Sequence, residues 1–220
     1  MCVLAREEDG DAPEASSNRI SVGLFMNTGR EIETKRLKLL PGVNKRDSKP
    51  FLKMLREDGN FQEFCGVEFS EKNLSKFATY FERTGHEECI YSIFPKDSIE
   101  EFIGYVGFHR ELNGDYEIEF YIAPKNRRKG YCEEACKAVI KTIFGEGVSV
   151  DHNQITVDRL YATTLAENTP AVELLKKIGF HRDNPEDGPI LVMQGFVDED
   201  KEINICAVIK MIYEKESMCT

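Results

Sequence analysis

The stretch YEIEFYIAPKNRRKGYCEEACKAVIKTIF (116–144) places a strand, a cationic loop and a helix in immediate succession. Its beginning, 116–123, is rich in Ile, Tyr and Phe, which are residue types that favour strands. A helix is expected from about Tyr131 to Phe144, with apolar side chains at helical spacing. A helix start presents N–H groups without acceptors and a partial positive charge, so cations just before it suit a bound pyrophosphate. An ordinary strand-to-helix turn with surface cations is the alternative interpretation.

The segments on both sides of this stretch predict one folded domain over 31–216. Strands are expected within 33–41 and over 89–94, 102–111, 116–123, 159–166 and 203–213. Helices are expected over 47–82 with a break at 58–60, over 131–144, and over 170–178 with Asn168 or Thr169 as the cap, whereas 184–202 is expected to be a loop. The helix between 116–123 and 159–166 makes a crossover, so these two strands should be parallel. This order predicts an α+β, or mixed α/β, fold with helices around one central sheet.

The charge balance excludes one class of partner. The 220 residues contain 29 Lys and Arg against 39 Asp and Glu, which gives a formal net charge of -10. Binding nucleic acid through bulk charge requires a cationic face, so we expect no nucleic-acid partner. An acidic protein instead favours cationic substrates by electrostatic steering. The acidic N-terminal segment, rich in small residues, predicts a flexible arm over 1–30.

The cysteines and the hydropathy pattern bear on metals and on the compartment. The seven cysteines are scattered, form no CxxC pair, and have no histidine at a ligand-like spacing. This favours free thiols in a reducing compartment and no metal site. No stretch approaches the roughly 20 apolar residues of a membrane-spanning helix, and the N-terminus lacks the pattern of a secretory signal. We therefore expect a cytoplasmic protein without a membrane partner.

Four stretches, in order along the chain, resemble one family. IAPKNRRKGYCEEA resembles the acetyl-CoA-binding motif of the GNAT superfamily of N-acetyltransferases, [RQ]-x-x-G-x-[GA], with Arg127, Gly130 and Cys132 at its defined positions. YATTLAENTPAVELLKKIGF (161–180) is similar to the second signature of that superfamily. IETKRLKLLP, IGYVGFH and YEIEFYIAP resemble the RimJ/RimL-type branch. The resemblance covers about 31–213 and implies a mostly antiparallel sheet with one parallel pair that splays apart.

The resemblance also implies how acetyl-CoA, the co-substrate, would bind without a metal. Backbone N–H groups at the loop and helix start would hold the pyrophosphate, and Gly130 would let the backbone approach it closely. The residues implied there are Arg127, Arg128, Lys129, Gly130, Tyr131 and Cys132. The strand end formed by Phe120, Tyr121 and Ile122 would pair with pantetheine through its backbone. Asn168 would bind the pantetheine or fix the second helix.

Catalysis of acyl transfer to an amine requires a proton acceptor. An alkylammonium has a pKa of about 10.4 and becomes a nucleophile only after losing a proton, so a carboxylate near the thioester suits the role of base. Glu117 and Glu119 lie on the same face of their strand because side chains alternate. Glu117 is the first candidate for the base and Glu119 the second. The alternative is that both are half-exposed strand carboxylates or partners in ion pairs.

The leaving thiolate also needs a partner, and here the chain departs from the family pattern. Many members have a Tyr seven residues after the signature Asn, whereas this chain has Leu175. Tyr121, Tyr131 and Tyr161 are possible substitutes, although core packing is the simpler interpretation of each.

The sequence therefore predicts an N-acetyltransferase that moves an acetyl group from acetyl-CoA directly to a primary amine. The acceptor would be a protein N-terminus, or a small amine or polyamine, and the protein would be a monomer or homodimer. A catalytically idle acyl-CoA-binding sensor or interaction module is the alternative. A nucleotide-binding regulatory domain is disfavoured because no nucleotide motif is found.

Overall fold

A computed structural model describes residues 26–27, 30–41, 45–59, 89–110, 114–150, 153–182, 184, 186, 188–194 and 204–215. Most of the expected N-terminal arm and the second half of the helical region expected over 47–82 lie outside these residues. In the described part of the chain, no helix is both long enough and apolar enough to cross a membrane.

The described residues form eleven strands and three α-helices. The strands are β1 (Met26–Asn27), β2 (Ile32–Glu33), β3 (Leu37–Pro41), β4 (Cys89–Pro95), β5 (Gly104–Arg110), β6 (Tyr116–Ile122), β7 (Val148–Val150), β8 (Asn153–Ile155), β9 (Arg159–Leu165), β10 (Ile190–Gln194) and β11 (Asn204–Glu214). The helices are α1 (Lys45–Glu57), α2 (Tyr131–Glu146) and α3 (Thr169–Ile178).

One eight-stranded sheet organises the molecule, in the order β10-β11-β9-β6-β5-β4-β3-β2. Its neighbours pair antiparallel except β6 and β9, which are parallel. The helix α2 connects these two strands, as a parallel pair requires. The α+β fold and the parallel pair predicted from the sequence are therefore confirmed.

The two faces of the sheet bury separate apolar cores. Alternation along β6 sends Ile118 and Ile122 towards a core shared with α2 and α3, whereas Tyr121 joins Phe51 of α1 on the opposite face. The ring of Phe51 meets that of Tyr121 edge-on, with centroids 5.9 Å apart. Each residue of β6 is thus assigned to the α1 face or to the α2 face of the sheet.

Several strands of the structure were not expected from the sequence. The loop expected over 184–202 is wrong at Ile190–Gln194, because this segment pairs with β11 along the sheet edge. Its short apolar run lies among acidic, Pro and Gly residues, which hid the strand. The arm expected over 1–30 also includes Met26 and Asn27, which pair with β7. These two residues form the edge of a three-stranded sheet with the order β1-β7-β8.

Candidate active site

A cleft opens where β6 and β9 separate. Among the described residues their ladder has a single register pair, Glu117 with Tyr161, and the strands diverge beyond it. The cleft is lined by His109, Glu117, Ile118, Glu119, Phe120, Ala162, Thr163, Thr164 and Leu175. Its lining residues alternate between the two faces of β6, so the cleft lies at the sheet between them. The splay implied by the family resemblance is thereby confirmed.

Glu117 lies at the point where the two strands part. Its Oε1 accepts a hydrogen bond of 2.7 Å from the backbone N–H of Thr163. Continuing the parallel ladder would have satisfied that N–H, and the carboxylate takes the place of the missing strand partner. Glu117 therefore stabilises the open form of the splay, in addition to lining the cleft.

Glu119 lies on the same face, directly across from Gly107 of β5. A Cβ at Gly107 would stand 3.2 Å from Glu119 Oε1 and 3.1 Å from Ile90 Cγ1, so the glycine makes room for the carboxylate. Desolvation by burial raises the pKa of Glu119, the positive field of His109 lowers it in part, and the Glu117 charge raises it further. His109 pairs with Glu117 across β5 and β6 and belongs to the cleft lining. Sequence reasoning missed His109, although its strand position opposite Glu117 follows from the hairpin register.

The loop between β6 and α2 turns through two left-handed residues. Arg128 has φ 62° and Gly130, the residue that caps α2, has φ 76°. The N–H groups of Tyr131, Cys132 and Glu133 occupy the first turn of α2, where a helix offers them no acceptor. The loop and helix start therefore present the backbone donors that an anion site needs.

Arg36, at the turn before β3, holds this loop from the side. Its Nη1 donates to the carbonyl of Lys129 at 2.8 Å and its Nε donates to Glu134 Oε2 at 2.6 Å. The guanidinium carbon lies 4.8 Å from the centroid of the Tyr131 ring. Partial burial of Glu134 favours its neutral form, but hydrogen bonds from Thr34 and Arg36 outweigh that effect and lower its pKa. Sequence reasoning placed Arg36 only within a strand, because its partners are far along the chain.

Arg127 has a different position from its neighbouring cations. Its guanidinium forms an ion pair with Asp58, which is 3% exposed, and its Nε donates to the Ile122 carbonyl at 2.9 Å. The hydroxyl of Tyr121 donates to Asp58 Oδ2 at 2.9 Å, and burial together with Asp58 raises the pKa of Tyr121. Arg128 is exposed, and Lys129 Nζ donates to Asn126 Oδ1 at 3.1 Å. The guanidinium of Arg127 thus ties the loop to Asp58, at the end of α1.

Asn168 caps α3. Its Oδ1 accepts a hydrogen bond of 3.3 Å from the N–H of Ala171, and Asn168 is 8% exposed. Of the two roles expected for Asn168, fixing the second helix is the one that the contacts show.

The three tyrosines considered as substitutes for Leu175 have other partners. The Tyr121 hydroxyl donates a hydrogen bond to Asp58, and the Tyr131 ring stacks against the Arg36 guanidinium. The centroid of the Tyr161 ring lies 3.7 Å from Lys210 Nζ. None of these three tyrosines is among the described residues that line the cleft between β6 and β9, whereas Leu175 is.

Comparisons with known proteins agree with this geometry. A family model described as an acetyltransferase (GNAT) domain matches residues 36–181. The uncharacterized N-acetyltransferase YnaD of Bacillus subtilis (strain 168) is 32% identical over 82 residues, which amount to 37% of this chain and 44% of that protein. The chain therefore matches less than half the length of this curated relative.

Solved structures show the same fold at low sequence identity. The GNAT-family acetyltransferase of Bacillus anthracis has a TM-score of 0.58 at 19% identity, covering 84% of this chain and 98% of that one. A Salmonella typhimurium acetyl transferase that modifies the N-terminal serine of the ribosomal protein L7/L12 has a TM-score of 0.61 at 12% identity, covering 85% and 100%.

Proposed function

Because the chain belongs to the acetyltransferase (GNAT) domain family, we propose that it transfers an acetyl group from acetyl-CoA directly to a primary amine. The observation that supports this most is the cleft between β6 and β9, because β6 leads through a short loop into the donor-rich start of α2. Acetyl-CoA would supply the activated acyl group, held as a thioester.

The described residues fit this co-substrate. Backbone N–H groups of Arg128, Lys129, Gly130, Tyr131 and Cys132 would hold the pyrophosphate, with the exposed Arg128 side chain adding positive charge. Gly130 adopts a left-handed conformation that a side chain disfavours, and a Cβ there would stand 3.3 Å from Arg36 Nη2.

The pantetheine of acetyl-CoA would continue from the pyrophosphate along β6. Backbone groups of Phe120, Tyr121 and Ile122 lie beyond the single β6–β9 register pair, so an extended ligand is able to pair there. Arg127 would position the loop through Asp58, and Asn168 would act through the cap of α3.

Two carboxylates remain candidates for the base, and we propose the opposite order from the one that the sequence suggested. Glu117 already accepts the N–H of Thr163, whereas burial raises the pKa of Glu119 towards the working range of a general base. We therefore propose Glu119 as the base and Glu117 as the residue that holds the splay open, with Glu117 as the second candidate for the base.

The acceptor would approach from the α1 face, where both carboxylates lie. Two acidic side chains in one cleft attract a cationic amine, and desolvation there favours its neutral, nucleophilic form. A protein N-terminus and a small amine or polyamine both meet this requirement. The Salmonella structural neighbour, which acts on an N-terminal serine, supports testing peptides first.

The deciding experiment measures release of CoA thiol from acetyl-CoA with a panel of peptides, polyamines and other small amines. We expect turnover with at least one class, and a large loss of kcat in Glu119→Gln. Glu173→Gln is the matched control, because Glu173 is exposed on α3 and pairs only with Lys176 among the described residues. Binding of acetyl-CoA without turnover on any acceptor would instead favour a sensor.

A further inference from the structure

The hydroxyl of Thr164 is buried in the cleft wall and has no hydrogen-bond partner within the described chain. Thr164 is 1% exposed, and its buried Oγ1 atom forms no hydrogen bond with the described residues. A buried hydroxyl without a partner costs roughly 1–3 kcal/mol. Buried polar groups in proteins usually have a hydrogen-bond partner, and a ligand that enters the cleft would supply one for this hydroxyl.

The surroundings of Thr164 restrict what that ligand atom is. By alternation along β9, Thr164 shares the α2 face with Leu160 and Ala162, both in the core beneath α2 and α3. Leu175 of α3 lines the cleft on this same face and offers only an apolar side chain. Among the described residues that line the cleft, Thr163 and Thr164 carry hydroxyl groups, and only Thr164 lies on the α2 and α3 face, since Thr163 alternates to the α1 face.

The two faces of the cleft differ in chemistry. Glu117 and Glu119 lie on the α1 face, and Thr164 lies on the α2 face. A thioester seated between the strands would therefore meet proton acceptors on one side and a hydroxyl donor on the other.

We propose that the Thr164 hydroxyl donates a hydrogen bond to the sulfur of the bound thioester and stabilises the thiolate as it leaves. This inference rests on the proposed function. The amine nitrogen forms a bond to the acyl carbon while the carbon–sulfur bond breaks, and the electron pair of that bond remains on sulfur. The amine proton passes to the carboxylate of Glu119. Thr164 keeps its own proton and shares it with the sulfur.

The test measures the thiol pKa of CoA bound to the protein, which requires no acceptor. The ultraviolet absorbance of the thiolate, recorded against pH with the protein saturated with CoA, gives this pKa. In Thr164→Val, which keeps the side-chain shape, we expect the bound pKa to rise by about 1 to 2, since a hydrogen bond to a charged group is lost. Thr164→Ser, which keeps the hydroxyl, should stay near the wild-type value.

Stability and turnover supply independent readouts. Thr164→Val should melt at or above the wild-type temperature, because it removes a buried unpartnered polar atom. Its kcat should fall about 10- to 100-fold with little change in KM, since the bond strengthens as charge develops on sulfur. Thr142→Val is the control, because Thr142 donates to the Ala138 carbonyl on α2, away from the cleft lining.

Three results would overturn the inference. An unchanged thiol pKa in Thr164→Val would show that the hydroxyl does not contact sulfur. An equal effect in Thr164→Ser would assign the change to packing. A rise in KM alone would show that the Thr164 hydroxyl contacts another part of the pantetheine and not the sulfur. Failure of the proposed function appears differently: the bound thiol pKa still responds to Thr164→Val, but no amine releases thiol.

Discussion

The ion pair between Arg127 and Asp58 should respond very unequally to removal of its two members. Asp58 is 3% exposed, and its carboxylate accepts hydrogen bonds from Arg127 and from the Tyr121 hydroxyl. Arg127 is 34% exposed and also donates to the Ile122 carbonyl. Arg127→Met therefore leaves a buried carboxylate with one neutral donor, whereas Asp58→Asn leaves a guanidinium that reaches water.

The magnitudes follow from this asymmetry. Breaking a buried pair costs about 3–5 kcal/mol, and the partial exposure of Arg127 places Arg127→Met at the lower end, about 3 kcal/mol. Asp58→Asn keeps the size of the side chain and its acceptor oxygen, so we expect about 1 kcal/mol. For a chain of this length each kcal/mol shifts Tm by roughly 2–4 °C, so the two variants should lose about 6–12 °C and about 2–4 °C.

Calorimetry or circular dichroism during heating measures both shifts. Lys125→Met is the matched control, because Lys125 is an exposed cation in the same loop, paired with Glu101 at the surface, and should change stability by less than about 1 kcal/mol. The double variant Arg127→Met with Asp58→Asn should lose less than the sum of the single losses, since no buried charge is left unpaired. Equal losses in the two single variants, or strict additivity in the double variant, would refute this reasoning.

Three further predictions concern the site. Gly130→Ala should weaken acetyl-CoA binding about tenfold in calorimetry, because Ala is disfavoured at φ 76° by roughly 1–2 kcal/mol and crowds Arg36; unchanged affinity would argue against the loop as the phosphate site. Burial raises the pKa of Glu119 in the folded protein, so the unfolded chain loses the carboxyl proton of Glu119 at lower pH than the folded chain does. The free energy of unfolding should therefore fall as the pH rises from about 4.3, the pKa of an unperturbed Glu. Glu119→Gln should therefore melt higher than wild type near neutral pH and lose that advantage in acid, and a constant difference across pH would contradict the burial of this carboxylate. Asn168→Ala should cost about 1 kcal/mol of stability through loss of the cap while acetyl-CoA affinity stays the same, whereas a tenfold loss of affinity would assign Asn168 to the pantetheine.

Short-range features of this protein were predictable from the sequence because each depends on neighbouring residues. The strand ending before Pro124 and the start of α2 at Tyr131 lie within one continuous stretch. The cap at Asn168 likewise depends on the first turn of its own helix. The parallel pairing of β6 with β9 followed from the crossover helix between them.

The roles of individual side chains depended on contacts that the sequence pattern does not encode. Arg127 looked like part of a cationic phosphate loop, yet its partner Asp58 is 69 residues away. Arg36 reaches Glu134 across 98 positions, and the Thr163 N–H meets Glu117 across 46. Periodicity assigns a residue to a face of its own strand, but burial and long-range partners decide what that residue does there.

The amino-acid sequence by itself therefore predicted the main strands and helices around β6 and α2, because hydrophobic period and turn residues act locally. Its motifs, through their resemblance to a known family, also indicated the family and the splay between β6 and β9. Tertiary structure alone decided that Glu117 satisfies the opened ladder, that Glu119 is desolvated opposite Gly107, and that the Thr164 hydroxyl is buried without a partner. These properties depend on which strands and helices pack against each side chain, and sequence periodicity does not encode those long-range contacts.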